Sequence, residues 1–282
     1  MIRLSGKEFR LPHEVSDAKY PTPEEFISET ERVVKELSNN SVVARVMGAM
    51  GVYIKTRITS KDLFVKLDRL GGGKSFTDID LASYSRYCNN IPPLMERLGY
   101  QCFKRMLIIS AATRQFFYSD RIPLVEVFYD RLAMNHVINF RDRLEKACLT
   151  LPSAELLLQK LQPVHINEKD IKDTILLLKA EDLGENDSKI NMKVVRSVLS
   201  DDWGFYHTFK TNLQNVGNYL ESIDPRTVSE EDKLIIRNKL SIIEKEIESE
   251  PKSFGWKVRA KVGTKKKWYN EVDEWSESIK VG

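Results

Sequence analysis

The chain is poor in the residues that usually announce metal or redox chemistry: its 282 residues include 3 cysteines and 4 histidines. Cys88, Cys102 and Cys148 are scattered, odd in number and free of any Cys-x-x-Cys pair. Neither a disulfide framework nor a zinc site is indicated. His13, His136, His165 and His207 are equally dispersed, which argues against a histidine metal cluster. No stretch approaches the roughly eighteen uncharged apolar residues of a membrane span. The opening Met-Ile-Arg-Leu-Ser-Gly-Lys-Glu carries no apolar run of the signal-peptide kind. A cytoplasmic protein without a membrane partner is the expectation. Excess charge of one sign is lacking too. With 44 Lys+Arg against 41 Asp+Glu the formal net charge is +3, which permits contact with nucleic acid without demanding it. The remainder, 41% hydrophobic and 30% charged, is an ordinary globular composition with length for one large domain or two smaller ones.

Two stretches stand out against this background. Phe76-Thr77-Asp78-Ile79-Asp80-Leu81-Ala82 sets two carboxylates two residues apart among β-favouring neighbours. On a strand both leave the same face, about 7 Å apart, where they repel and invite a hard divalent cation. The same pair also suits an exposed edge strand. About thirty residues earlier, Val43-Ala44-Arg45-Val46-Met47-Gly48-Ala49-Met50-Gly51 runs apolar to a glycine and then becomes helix-like. A strand over Ser41 to Met47, a turn at Gly48 and a helix from Ala49 to about Ile58 would bring backbone N–H groups near the carboxylates, an arrangement suited to phosphate. Lys55 and Arg57 on that helix face either phosphate or solvent. Gly71-Gly72-Gly73-Lys74-Ser75 imitates a P-loop but fails it, because Asp68 stands where the pattern needs glycine and a strand, not a helix, follows.

Elsewhere the elements are legible from caps and periodicity. Thr22-Pro23-Glu24-Glu25 starts a helix with Thr22 as N-cap and Glu25 closing a capping box; Phe26, Ile27, Val33, Val34 and Leu37 form its buried stripe. Asn89-Asn90-Ile91-Pro92 opens a helix that Gly99 closes. Strands are expected over Tyr100 to Arg105, from Leu107-Ile108-Ile109 through Phe116-Phe117-Tyr118, and over Ile122 to Asp130. Glu126 lies between two valines in the last of these, where a carboxylate needs a partner or a metal. Asp130 has the same parity but lies about 13 Å further along. Ser153 starts a helix with Ala154, Leu157, Leu158 and Leu161 inward and Lys160 at the edge of that face. Asn167 caps a second, on which Asp170 and Asp173 share a face.

A strand, a glycine turn opening a helix and Asp-hydrophobic-Asp on the next strand together resemble the nucleotidyltransferase superfamily. Leu156 to Gln162, then Asn167-Glu168-Lys169-Asp170-Ile171-Lys172-Asp173, are similar to the Lys and Lys-Asp-x-x-Asp motifs of its abortive-infection, type IV toxin branch. The resemblance covers about residues 40–180. It implies an α+β fold: a mixed, twisted sheet with flanking helices. It further implies transfer of an NMP from an NTP to an acceptor that is a tRNA, a protein or a small molecule, with Mg²⁺ as cofactor. Asp78, Asp80 and Glu126 would then hold metal, with Asp130 as the fallback for the third position. Gly48, Ala49 and Lys160 would contact phosphates, and Asp170 would orient Lys160 or the acceptor. The chain departs from the pattern at Ala49, where Gly or Ser is usual, and at Glu126, where Asp is usual. A nucleotide- or RNA-binding module that kept the fold and lost turnover is the alternative.

The expected organisation is a nucleotidyltransferase domain over residues 1–183, with its core at 40–135 and a helical pair at 150–182, then a helical region over 184–282. In the latter, helices are expected over Met192 to Leu199, Tyr206 to Leu220 and residues 229–249, the last with Leu234, Ile235, Leu240, Ile242, Ile243 and Ile247 inward. Residues 256–269, from Trp256 to Tyr269, alternate like a basic β-hairpin around Gly263-Thr264. Its lysines and tryptophans suit phosphate contact and base stacking with an RNA acceptor, or tryptophans packed on the preceding helix. An antitoxin-like protein is a further expected partner.

Overall fold

The computed structural model describes residues 2–4, 7–10, 14–16, 19–72, 74–102 and 113–272. His13, Gly73 and the apolar run at 107–109 lie outside the described residues. The first elements are an antiparallel ribbon, β1 (Ile2–Leu4) and β2 (Lys7–Phe9), and then α1 (Pro23–Asn39). Its start is the capping box expected: the Glu25 amide donates to Thr22 Oγ1 at 3.2 Å, and the Thr22 amide donates to a Glu25 carboxylate oxygen at 2.7 Å. Phe26, Val33, Val34 and Leu37 are buried on one stripe.

After Ser41, which takes a left-handed turn, the chain enters β3 (Ala44–Met47) and passes at once into α2 (Gly48–Thr56). α3 (Lys61–Leu67), which no sequence signal suggested, leads to β4 (Ile79–Ser83). Then come α4 (Ile91–Arg97), β5 (Gln101–Cys102), β6 (Arg114–Tyr118) and β7 (Val125–Tyr129). The five strands form one mixed sheet in the order β3-β4-β7-β6-β5. β4 and β7 are parallel neighbours in its interior, and the other pairings are antiparallel. All five residues of β7 are buried.

The short ribbon β8 (Arg131–Ala133) and β9 (Val137–Asn139) precedes a helical pair, α5 (Ser153–Leu161) and α6 (Glu168–Ala180). Both pack on α2. That is why α2 is apolar nearly all round. The packing is close at Gly51, where a Cβ would meet Leu156 Cδ2 at 2.9 Å and the Val46 carbonyl oxygen at 3.1 Å. A two-residue parallel contact joins β10 (Leu183–Gly184) to β11 (Ile190–Asn191), and four helices follow: α7 (Met192–Asp201), α8 (Trp203–Ser222), α9 (Glu230–Ser249) and α10 (Phe254–Val262). One apolar core runs from Phe26 in α1 to Ile247 in α9. On α9 the buried stripe is Ile236, Leu240, Ile243 and Ile247; Leu234 and Ile242, expected inward, are exposed. None of the described helices is long and apolar enough to cross a membrane.

The expected hairpin around Gly263-Thr264 is overturned. Residues 254–262 are helix α10, capped by Ser253 Oγ accepting from the Trp256 amide at 3.1 Å, and Gly263 opens a 3₁₀ turn. Trp256/Ala260 and Val258/Val262 alternate with basic residues at a spacing that also matches one helical turn, so period two and period 3.6 coincide here. Trp256 meets the edge of Tyr206 at 5.3 Å, Trp268 that of His207 at 5.2 Å, and Arg259 stacks on Trp203 at 4.8 Å. Trp256 and Trp268 therefore pack on α8, the second of the two readings of this stretch.

The turn between β8 and β9 carries His136, buried with its ring on Phe205 at 4.8 Å and its Nε2 2.9 Å from Thr208 Oγ1. Trp268 Nε1 donates to the same hydroxyl at 3.1 Å. Burial pushes the imidazole down to about 4 from the ordinary 6.5. The unfolded chain therefore takes up this proton first on acidification. The stability it confers is intact above pH 6.5 and is lost as the pH falls toward 4, by about 3 kcal/mol at most. Thermal melts of wild type and His136→Phe at pH 7, 6 and 5 should show a shallower fall for the variant; parallel curves would rule this linkage out.

Candidate active site

β3 and β4 run antiparallel with Met47 opposite Asp80, so the turn that ends β3 falls directly against the Asp80 carboxylate. Gly48 takes φ +65° there, and a Cβ built on it would lie 2.3 Å from Asp80 Oδ2. Both the backbone conformation and the space demand glycine. On its other side Asp80 is in register with Glu126 of β7 across a parallel pair, one strand spacing of about 4.8 Å away. Asp78 stands one residue ahead of β4 and accepts from Thr77 Oγ1 at 3.0 Å. The segment is anchored by Phe76, which is buried among Phe26, Tyr53 and Phe64, and by the Tyr20 hydroxyl donating to the Phe76 carbonyl at 2.6 Å. β4 is interior, which excludes the edge-strand reading of the two aspartates.

Three carboxylates thus converge at the N-terminal ends of β4 and β7. Asp80 is held well above the usual carboxylate range by burial first and then by the charges of Asp78 and Glu126, with Arg114 and Lys160 opposing. Burial, again reinforced by Asp78, raises Glu126 against the pull of Arg114. Arg114, on β6, donates from Nε to Glu126 Oε2 at 3.0 Å and from Nη2 to the same oxygen. Its guanidinium lies 4.7 Å from the Phe116 ring centre and 4.6 Å from that of Phe128. Among the described residues no group of three or more His, Cys, Asp or Glu is arranged to hold a metal ion.

Lys160 does not stand at a helix edge but is buried, 2.9 Å from Asp170 and 2.8 Å from Asp173. Arg69 closes the network at 2.8 Å from Asp173. Burial alone would depress the Lys160 ammonium, but Asp170 and Asp173 outweigh it and push it up to about 12. Asp173 is correspondingly held below the usual range, burial being outweighed by Lys160 and Arg69. The Gly48 amide donates to Gln159 Oε1 at 3.0 Å. Ala49 follows in the first turn of α2. Asp130, the fallback acid, is not brought to this cluster: it is exposed at a left-handed turn beyond β7, accepting from the Ser85 amide at 3.0 Å. Arg57 pairs with Glu31 at 3.3 Å, a surface contact.

The structure adds Arg114, Arg69 and Gln159 to the residues that sequence reasoning singled out. Gln159, beside Lys160 on an otherwise buried helix, was the nearest to visible; the two arginines carry no local signal. No protein-family profile and no curated protein matches the sequence. Among solved structures the chain is similar to the antibiotic-resistance factor ANT(2'')-Ia, at 9% identity and a TM-score of 0.34, over 54% of this chain and 81% of that one. A likeness of that degree decides nothing about the chemistry, which is read from the residues alone.

Gly48→Ala should lower stability by about 2 kcal/mol or more, combining a left-handed non-glycine residue with a clash on Asp80. Gly99→Ala, at φ +90° with nothing within 4 Å of its Cβ, supplies the backbone cost alone. Denaturant titration of both variants separates the two terms. Equal losses would mean that Asp80 is not held against the turn.

Proposed function

We propose that the chain is a metal-dependent nucleotidyltransferase that moves an NMP from an NTP to an acceptor nucleophile and releases pyrophosphate. The carrying observation is the crowding of Asp80 by Asp78 and Glu126 on interior strands, against a glycine turn that opens a helix. Like charges gathered in a shielded place lose stability unless a cation joins them. Mg²⁺ usually takes one or two protein carboxylates and completes its shell with water and substrate phosphates, so Asp78 and Asp80 suit it without a third protein ligand. Bound there, the ion would neutralise phosphate charge and polarise the α-phosphorus.

The residues of the chain supply position. The first turn of α2, from Gly48 and Ala49, points its helix N-terminus at the carboxylates, where phosphate oxygens are favoured. Its Gly48 amide is occupied by Gln159, which a phosphate oxygen would replace. Lys160, fixed by Asp170 and Asp173, sets positive charge behind Asp80. In transfers of this kind most of the acceleration comes from alignment and charge neutralisation. Lys257, Lys261, Lys265 and Lys266 are exposed on and after α10 and favour a polyanionic acceptor such as RNA, through charge alone.

Isothermal titration with each NTP, with and without Mg²⁺, tests the reading on wild type and an Asp78→Ala/Asp80→Ala double variant. Metal-dependent binding that the variant loses by at least about tenfold is expected. Metal-independent binding would favour a nucleotide-binding module without turnover, and a folded protein that binds no NTP would sink the proposal.

A further inference from the structure

Glu126 is the third acid of the converging set, yet a cation already sits on it. Arg114 Nε and Nη2 both donate to its Oε2. The pair is shielded, with side-chain exposures of 21% for Arg114 and 9% for Glu126. Phe116 is in register with Glu126 and Phe128 with Arg114, so the two rings wall the guanidinium in place. For Glu126 to ligate a metal it would have to break this shielded, doubly hydrogen-bonded charge pair, which is unfavourable. Asp78 and Asp80 differ: among the described residues neither is ion-paired with any Lys, Arg or His. The charge asymmetry is built into the sheet.

We propose that Arg114, held by Glu126, takes the place of a second metal ion, so that the site accepts a single divalent cation at Asp78 and Asp80. The proposal rests on the nucleotidyl-transfer reading above and names a residue that reading left without a role. In the reaction the acceptor hydroxyl oxygen bonds to the α-phosphorus while the bond from that phosphorus to the pyrophosphate oxygen breaks. The electron pair leaves with pyrophosphate and the acceptor proton goes to water. Negative charge spreads over the non-bridging oxygens, and a planar guanidinium held on Glu126, the in-register neighbour of Asp80, meets it without reorganising. Glu126 is then a positioning residue: it aims Arg114 and does not touch the cation.

Mn²⁺ binding to the full chain in the presence of a non-hydrolysable NTP analogue, followed by electron paramagnetic resonance, separates the possibilities. Wild type should bind one Mn²⁺ per chain, lost in Asp80→Asn. Glu126→Gln should still bind one Mn²⁺ per chain, weakened less than by Asp80→Asn, because it removes a neighbouring charge and not a ligand. Arg114→Ala frees the carboxylate and removes a repelling charge, so it should bind a second Mn²⁺ or bind the first about tenfold tighter, while Arg114→Lys restores a single ion. A loss in Glu126→Gln as complete as that in Asp80→Asn, or two ions in wild type, overturns the proposal and leaves nucleotidyl transfer standing. No Mn²⁺ on folded wild type removes both. If Arg114→Ala does not fold, Glu126→Gln and Arg114→Lys decide the matter by themselves.

Discussion

The site depends on one close approach: the backbone at Gly48 and the carboxylate of Asp80 occupy space that only a hydrogen atom leaves open. Met47 is the last residue of β3 and pairs with Asp80, so any chain leaving β3 for α2 must turn across that carboxylate. The rest follows from keeping the contact. α5 and α6 cover α2 so that its first turn cannot drift, and Phe76 pins the residues ahead of β4 into an aromatic cluster. Packing density in such a cluster resists small displacements, which is what a site with sub-ångström tolerances needs.

Charge is divided unevenly around this contact. Lys160, Arg69, Asp170 and Asp173 compensate one another in a buried network on the α5–α6 pair. Beside it, Glu126 has Arg114, and Asp80 is ion-paired with no cation among the described residues. A fold does not keep an uncompensated acid between two others for stability's sake. The imbalance is a local cost set against an otherwise continuous core, and it sits where a helix N-terminus faces it.

Legibility tracked locality. Thr22 with Glu25, the Gly48 turn, the buried strand around Glu126, the helix start at Ser153 and the cap at Asn167 all lie where neighbouring residues speak for them, and the elements formed close to those bounds, although Ser153 is the first helical residue and Pro152 stands at the N-cap. The tail misled because its alternation served two periods at once, and the cap at Ser253 with packing on α8 selected the helix. α3 and the β8–β9 ribbon were missed because each is short and weakly patterned, held by contacts with other elements and not by propensity.

By itself, then, the sequence determined the helix starts, the glycine turn and the spacing of Asp78 and Asp80, because caps, dihedral preferences and strand parity act over a few residues. Only the tertiary structure decided which charges meet. Arg114 reaches Glu126 through strand register across β6 and β7. Arg69 reaches Asp173 over a separation of 104 residues, and Gln159 reaches the Gly48 amide over 111. An ion pair or hydrogen bond between distant segments exists only once packing has fixed both ends, and no local pattern in either segment records it.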